Sequence, residues 1–231
     1  MQYKHIVPAV FQERPNRFLA EVILPDGSLE RVHVKNTGRC KELLVPGARI
    51  YLEKSDNPAR KTQYNLVAVE KGELLINMDA QAPNRVFGEW AHAGHFVPEL
   101  TLLRPETTWG KSRFDFYWEA SGGRKGFVEV KGVTLEDEGR VIFPDAPTER
   151  GLKHVEELVA AHEAGYESTL FFVIQMEQAQ WMAPNDRTHR AFGDAVRRAA
   201  AAGVQIAAYT CRVTPESLAL AGAVPVRLDN V

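Results

Sequence analysis

Residues 1–80 are expected to form a small β-barrel, and residues 81–231 an α/β domain with helices packed on a mixed sheet. Two observations predict this arrangement. Up to about Met78 the chain reads as short, regularly spaced strands punctuated by Gly and Pro. From Pro83 onward helical and strand patterns alternate, which is the layout of helices layered on a sheet. A chain of 231 residues has room for two such units.

In the first unit the expected strands are Arg17–Leu24, Ser28–Val34, Arg49–Lys54, Tyr64–Glu70 and Glu73–Met78, with a turn at Pro25-Asp-Gly27. Five short strands fit an OB-like barrel, a fold whose open face often binds nucleic acid. Two loops carry donors that could track a phosphate backbone. They are Asn36–Lys41, with Arg39 and Lys41, and Ser55–Lys61, with Arg60 and Lys61. The same segments also read as solvated turns with Thr-Gly and Asn-Pro chemistry.

In the second unit Asn84 is expected to cap a helix over Arg85–Ala93, stopped by Gly94. Strands follow at Arg113–Glu119 and Phe127–Val133, joined through a turn at Gly122-Gly123. After an irregular stretch over 135–147, Thr148 caps a helix to Ala164 with Gly165 beyond it. A strand over Thr169–Gln175, a helix over Thr188–Ala202 ended by Gly203, and a strand over Val204–Cys211 complete the pattern. The apolar run Leu170–Ile174 reads as a buried central strand.

Composition sets limits on function. With 45% apolar and 25% charged residues, this is an ordinary globular chain. No run approaches the roughly 20 apolar residues of a membrane span, so no membrane role is expected. Met1-Gln-Tyr-Lys-His has no apolar signal core, which predicts a cytoplasmic protein. Cys40 and Cys211 lack metal-binding spacing. The net charge of −2 gives no global pull on nucleic acid, so any such binding rests on a local patch. Residues 1–80 carry 12 Lys/Arg against 10 Asp/Glu, and 81–231 carry 16 against 20, which makes the barrel the more basic part.

The most chemically informative residues are Asp115, Glu129 and Lys131. Strand side chains alternate faces, so Glu129 and Lys131 point the same way, and a hairpin brings Asp115 beside Glu129. Two carboxylates and an ammonium suit a hard divalent cation, Mg²⁺ or Mn²⁺, with the lysine orienting a water for attack on phosphate. Phe114, Phe116, Val128 and Val130 are expected to share the opposite, apolar face. A Glu-x-Lys pair on a strand is also an ordinary cross-strand charge pattern. On the helix after Thr148, residues Arg150, Lys153, His154 and Glu157 share one face. Cations there oppose the helix dipole, which points to a bound phosphate. Asp145, Glu149 and Glu156 are the groups that would otherwise neutralise them. His92-x-x-His95 is read as a solvated helix end, since Gly94 breaks the helix between the imidazoles. The four tryptophans are read as core.

Several segments together resemble the sugar fermentation stimulation protein A family. These are Asn36-Thr-Gly38, Ser55-Asp-Asn-Pro58 with Arg60-Lys61, Pro83-Asn-Arg85, Ser112–Phe116, Val128–Lys131, Phe143–Ala146 and Thr148–His154. The likeness spans residues 10–228, and Phe143–His154 is its most specific part. It implies an N-terminal OB-fold, a C-terminal PD-(D/E)xK nuclease-like domain, and DNA binding without strong sequence preference. It also implies a link to maltose metabolism. By this resemblance Asp115 and Glu129 are the nuclease acids and Lys131 the lysine, while Glu89 matches an acid that often adds a metal ligand. Glu89 equally fits a solvated helix face. Pro147 departs from the family pattern, which has valine there. Three readings follow: a metal-dependent nuclease, a non-catalytic DNA-binding regulator, and a barrel binding another ligand with a structural acidic trio.

Overall fold

The computed structural model describes residues 1–229. Strands β1 (Ile6–Asn16), β2 (Leu19–Ile23), β3 (Leu29–Val34), β4 (Arg49–Lys54) and β5 (Tyr64–Lys71) run in the order β3-β2-β1-β4-β5. A parallel β3–β5 pairing at His33↔Asn65 and Val34↔Leu66 closes the barrel. Alternate side chains, among them Phe11, Val22, Val32, Ile50, Leu52 and Leu66, fill its interior. β6 (Leu74–Asn77) adds antiparallel to β5 across a turn at Gly72, whose φ of +60° suits glycine.

The sequence pattern missed β1. Its Pro8, Pro15 and charged Glu13-Arg14 obscure the alternation, although Ala9 and Phe11 point inward. The segment read as Arg17–Leu24 starts later, at Leu19, because Asn16–Phe18 form the β1–β2 turn. There Asn16 Oδ1 accepts from the backbone N–H groups of Phe18 and Leu19.

Helix α1 (Ala82–His92) opens the second unit, followed by β7 (Leu100–Trp109), β8 (Ser112–Ala120) and β9 (Arg124–Val133). Then come β10 (Glu136–Asp137), β11 (Arg140–Phe143), α2 (Glu149–Glu163), β12 (Glu167–Ile174), β13 (Trp181–Pro184), α3 (Asp186–Ala202), β14 (Gln205–Thr214) and β15 (Ser217–Ala223). The main sheet has the order β15-β14-β12-β9-β8-β7, with β9, β12 and β14 parallel and the outer strands antiparallel. Helices α2 and α3 cover Phe127, Leu170, Phe172 and Ile174, whereas α1 covers Val128, Val130, Phe171 and Val173. Both faces of β12 are therefore packed, which explains its unbroken apolar run.

α1 begins at Ala82 with Gln81 at its cap position, three residues before the expected start. Pro83 is tolerated in the first turn, where its missing N–H is no loss. Asn84 is thus inside the helix, and its side chain is used elsewhere. α2 matches its expected start, since Thr148 accepts from the Gly151 N–H. The stretch read as irregular holds β10 and β11, which pair with β13 in a small separate sheet.

A buried polar network joins the barrel to the mixed sheet. Gln175 Nε2 donates to Asn77 Oδ1 at 2.8 Å and to the Asp79 carbonyl at 3.1 Å, and Asn77 Nδ2 donates to Tyr3 Oη at 2.9 Å. The Asn77 N–H donates to the Gln175 carbonyl, and Lys35 Nζ reaches Asp79 Oδ2 at 2.8 Å. Lys71 of β5 pairs with the buried Glu136 at 2.6 Å. Buried polar groups must be satisfied, so this network holds the two units in register. Gln175→Ala removes two of its bonds and is expected to cost about 2–3 kcal/mol. A shift of the urea unfolding midpoint checks this.

Candidate metal and nucleic-acid site

The site forms where β8 changes faces. Phe114 packs on Phe127 with centroids 5.1 Å apart and on His154 at 6.5 Å, under α2. Phe116 packs on Phe87 of α1 at 5.1 Å. The two phenylalanines thus lie on opposite faces, not on the shared apolar face expected from simple alternation. Asp115 sits at the break. The β8–β9 ladder stops at Phe116↔Val128, one position short of it, and Glu106, opposite on β7, has φ +51°. Freed from the ladder, the Val130 N–H donates to Asp115 Oδ2 at 2.8 Å. Asn84 Nδ2 donates to Asp115 Oδ1 at 2.7 Å.

Glu129 is 2% exposed, with its carboxylate on the α2 side of the sheet. Its Oε1 accepts from both Lys131 Nζ and His154 Nδ1. Its Oε2 is buried with no hydrogen-bond partner. Burial by itself would raise the Glu129 carboxyl, but the His154 hydrogen bond and the Lys131 charge outweigh it and hold the carboxyl below its ordinary range. Asp115 moves the other way. Burial first, then the charge of Glu129, raise it, and its bonds from Val130 and Asn84 offset this only in part.

These residues fit a divalent cation. A buried carboxylate oxygen without a partner lies next to a second carboxylate whose ionisation the first disfavours, and a cation between them would relieve both costs. No cluster of three or more His, Cys, Asp or Glu side chains in ligating geometry occurs among the described residues. A Mg²⁺-like ion needs only one or two carboxylates when substrate and water oxygens supply the rest.

Other expected residues fall elsewhere. Glu89 binds the Met1 ammonium at 2.6 Å and Arg85 at 3.2 Å. It is not brought to Asp115 or Glu129. It lies five residues beyond Asn84, so it leaves the helix in a different direction, and α1 contributes Asn84 to the site instead. His154 is buried against Glu129, not exposed as a phosphate ligand. Arg150 is exposed, with Nε 3.5 Å from His154 Nε2. Lys153 reaches the Lys111 carbonyl at 3.2 Å and Glu157 at 3.7 Å. The acids that would have neutralised this helix start have other partners: Glu149 faces His189, Glu156 faces Arg198, and Asp145 accepts from the Arg39 N–H at 2.8 Å.

That last bond crosses between the two units and borders a cleft of about 520 Å³. The cleft is lined by Arg17, Thr37, Gly38 and Arg39 from the barrel and by Gly132, Asp145, Thr148 and Gln175 opposite. Arg14 organises the barrel side by donating to the carbonyls of Arg17, Asn36, Gly38 and Arg39. A Cβ at Gly38 would lie 2.5 Å from Asp145 Oδ2, and one at Gly132 would lie 2.5 Å from Gln175 Oε1. A side chain at Gly38 would displace the Asp145 carboxylate, and one at Gly132 would also meet the Pro83 ring at 2.7 Å. Gly132 follows Lys131 in β9, but Asp115, Glu129 and Lys131 do not themselves line the cleft. Sequence reasoning missed Asn84, whose apparent role as a cap hid it. It also missed Asn65, a polar residue in an apolar strand, and Phe18, an aromatic inside a turn.

A family model described as the sugar fermentation stimulation protein RE domain matches residues 81–217, and the SfsA N-terminal OB domain matches residues 13–78. The chain belongs to the sugar fermentation stimulation protein family. A homolog from Desulfitobacterium hafniense (strain Y51) is 53% identical over 228 residues, covering 99% of each chain. One from Clostridium beijerinckii is 49% identical over 218 residues, covering 94% of this chain and 96% of its own. The solved structure of Pyrococcus furiosus SfsA in complex with Ca²⁺ is 25% identical, with a TM-score of 0.89 and 98% coverage of both chains. The barrel and mixed-sheet domain read from the sequence are thus the family's two domains. No helix among the described residues is long and apolar enough to cross a membrane.

The two carboxylates make opposite contributions to stability versus pH. Glu129 is lowered on folding, so its contribution is complete above the ordinary value of 4.5 and is lost as pH falls through the lowered value. Asp115 is raised, so its ionisation opposes folding as pH rises through and above its ordinary 3.8. In metal-free protein, Glu129→Gln is expected to flatten the acid limb of the melting curve. Asp115→Asn is expected to raise the melting temperature at neutral pH. Calorimetry across the acid range in EDTA reads both.

Proposed function

We propose that the chain is a divalent-metal-dependent phosphodiesterase of nucleic acid, working in the cytoplasm on DNA without strong sequence preference. The observation that carries this reading is the orphaned, buried Oε2 of Glu129 beside Asp115. Asp115 and Glu129 would hold Mg²⁺ or Mn²⁺. The Ca²⁺ in the Pyrococcus furiosus relative supports a hard divalent ion of this kind. When bound, the ion would stabilise charge on the scissile phosphate and lower the pKa of water.

The protein's own groups do the rest. Lys131 and His154 occupy Oε1 of Glu129, which leaves Oε2 as the free ligand atom. Asn84 and the Val130 N–H fix the Asp115 carboxylate while leaving lone pairs open. Lys131, 16% exposed, is the group placed to orient a water or a phosphate oxygen at the mouth of the site. Arg150, exposed on the first turn of α2, and Arg39 across the cleft would hold neighbouring phosphates.

A second reading rests on the same ion pairs. Lys131 and His154 already compensate Glu129, so the fold could serve a DNA-binding regulator of sugar metabolism without chemistry. Cleavage of labelled single-stranded, duplex and branched DNA and RNA, with Mg²⁺, Mn²⁺ or EDTA, separates the two. Metal-dependent cutting is expected, falling at least about 100-fold in Asp115→Asn, because several kcal/mol of charge stabilisation leaves with the ion. Mn²⁺ at 100 times its dissociation constant should stabilise the parent by about 2.7 kcal/mol, and Asp115→Asn should lose that gain. Retained DNA binding with no cutting and no metal-induced stabilisation favours the regulator.

A further inference from the structure

A second concavity, of about 480 Å³, opens on the barrel where β3 and β5 close it. Its volume lies within the range of small-ligand pockets. Three features make it a built site. Phe18, at the β1–β2 turn, is 52% exposed and lines it, the only exposed aromatic among the large apolar side chains left in solvent. Asn65, 5% exposed, also lines it and is held in one orientation. Its Oδ1 accepts from Arg60 Nη2 at 2.9 Å, and His33 Nδ1 lies 3.3 Å away. A guanidinium can only donate, so the amide cannot be turned over. The Asn65 Nδ2 group donates no hydrogen bond among the described residues and is not sealed from solvent, so its N–H groups remain free to donate.

The charges around the pocket point to a polyanion. Arg60, which lines the pocket, forms no ion pair among the described residues, and neither does Arg17 beside Phe18, whereas Lys35, the other cation lining it, is matched to Asp79 and Glu53. An exposed aromatic ring, fixed amide donors and unmatched cations together suit one flat, hydrogen-bonding group on a phosphate chain. That group is an unpaired nucleobase.

We infer that this pocket binds a base of a single-stranded nucleic acid, stacked on Phe18 and read at its edge by Asn65, with Arg60 and Arg17 on the flanking phosphates. The inference deepens the proposed function, because the pocket adjoins the cleft between the two units. Thr37 lines both this pocket and the cleft bordered by Gly132, and Arg17 and Phe18 are chain neighbours, one on each. A strand anchored by its base at Phe18 would lead its backbone past Thr37 into the cleft between the units. The barrel thereby selects unpaired strands, since a base inside a duplex presents neither face to the ring.

The test is fluorescence anisotropy with labelled single-stranded and duplex oligonucleotides of DNA and of RNA, in EDTA so that no cleavage intervenes. Single strands are expected to bind more tightly than duplex. Phe18→Ala should weaken single-strand binding by roughly 5- to 150-fold, the size of one base–aromatic stack, and leave duplex binding within about 2-fold. Phe18→Trp should restore it. Phe18 is exposed, so its truncation leaves the core intact. Phe18-dependent binding of either DNA or RNA supports the pocket and names the sugar. Phe18→Ala binding single strands as tightly as the parent overturns the inference, as does a parent that binds no nucleic acid. A parent that binds in this way but never cuts removes the nuclease and leaves the pocket standing.

Discussion

The buried carboxylate of Glu129 is the constraint on which the functional half of this molecule depends. An ionised group at 2% exposure persists only if it is compensated, and here two donors converge on one of its oxygens. That requirement dictates much of the surroundings. Lys131 must lie two residues along the same strand face, and α2 must present His154 at its second turn. Thr148 must start α2 where it does for His154 to arrive there. The remaining oxygen stays unpaired beside a second acid.

The second acid depends on a defect in the sheet. A fully laddered β8 would place Phe114 and Phe116 on one face and engage the Val130 N–H with backbone. The ladder instead breaks at Asp115, which captures the free N–H with its own side chain. Phe114 and Phe116 pack into different layers, Phe114 on Phe127 and Phe116 on Phe87. Irregular pairing at a strand position is a recurrent means of re-aiming a side chain, and here it is aimed at Asn84 of α1.

The relation between the units is set by buried polar groups together with an apolar core that runs from the barrel into the second unit. Asn77, Gln175, Asp79, Lys35 and the Lys71–Glu136 pair carry directional bonds that admit one docking geometry. Gly38 and Gly132 remove the side chains that would hold the surfaces apart. The cleft between them exists because both sides are pinned by hydrogen bonds to backbone, through Arg14 on the barrel and Asp145 opposite.

Much of this was legible in the sequence. Period-two alternation and Gly/Pro punctuation identified four of the five barrel strands, and helix stops at Gly165 and Gly203 were plain because a positive φ favours glycine. Asp115, Glu129 and Lys131 stood out by residue type, since charged side chains on strands flanked by apolar ones need a reason to be there. What the sequence by itself determined was therefore the layers, the two units and the acidic trio. Tertiary structure alone decided that Asn84 serves Asp115, that His154 turns inward to Glu129, and that Glu89 pairs with the Met1 ammonium and Arg85. It also decided that Phe18 and Asn65 share a pocket although 46 residues of chain lie between them. The physical reason is that local propensity and periodicity fix where a side chain points relative to its own strand or helix. Its partner depends on how separate elements dock, and that is settled by long-range packing and the satisfaction of buried polar groups.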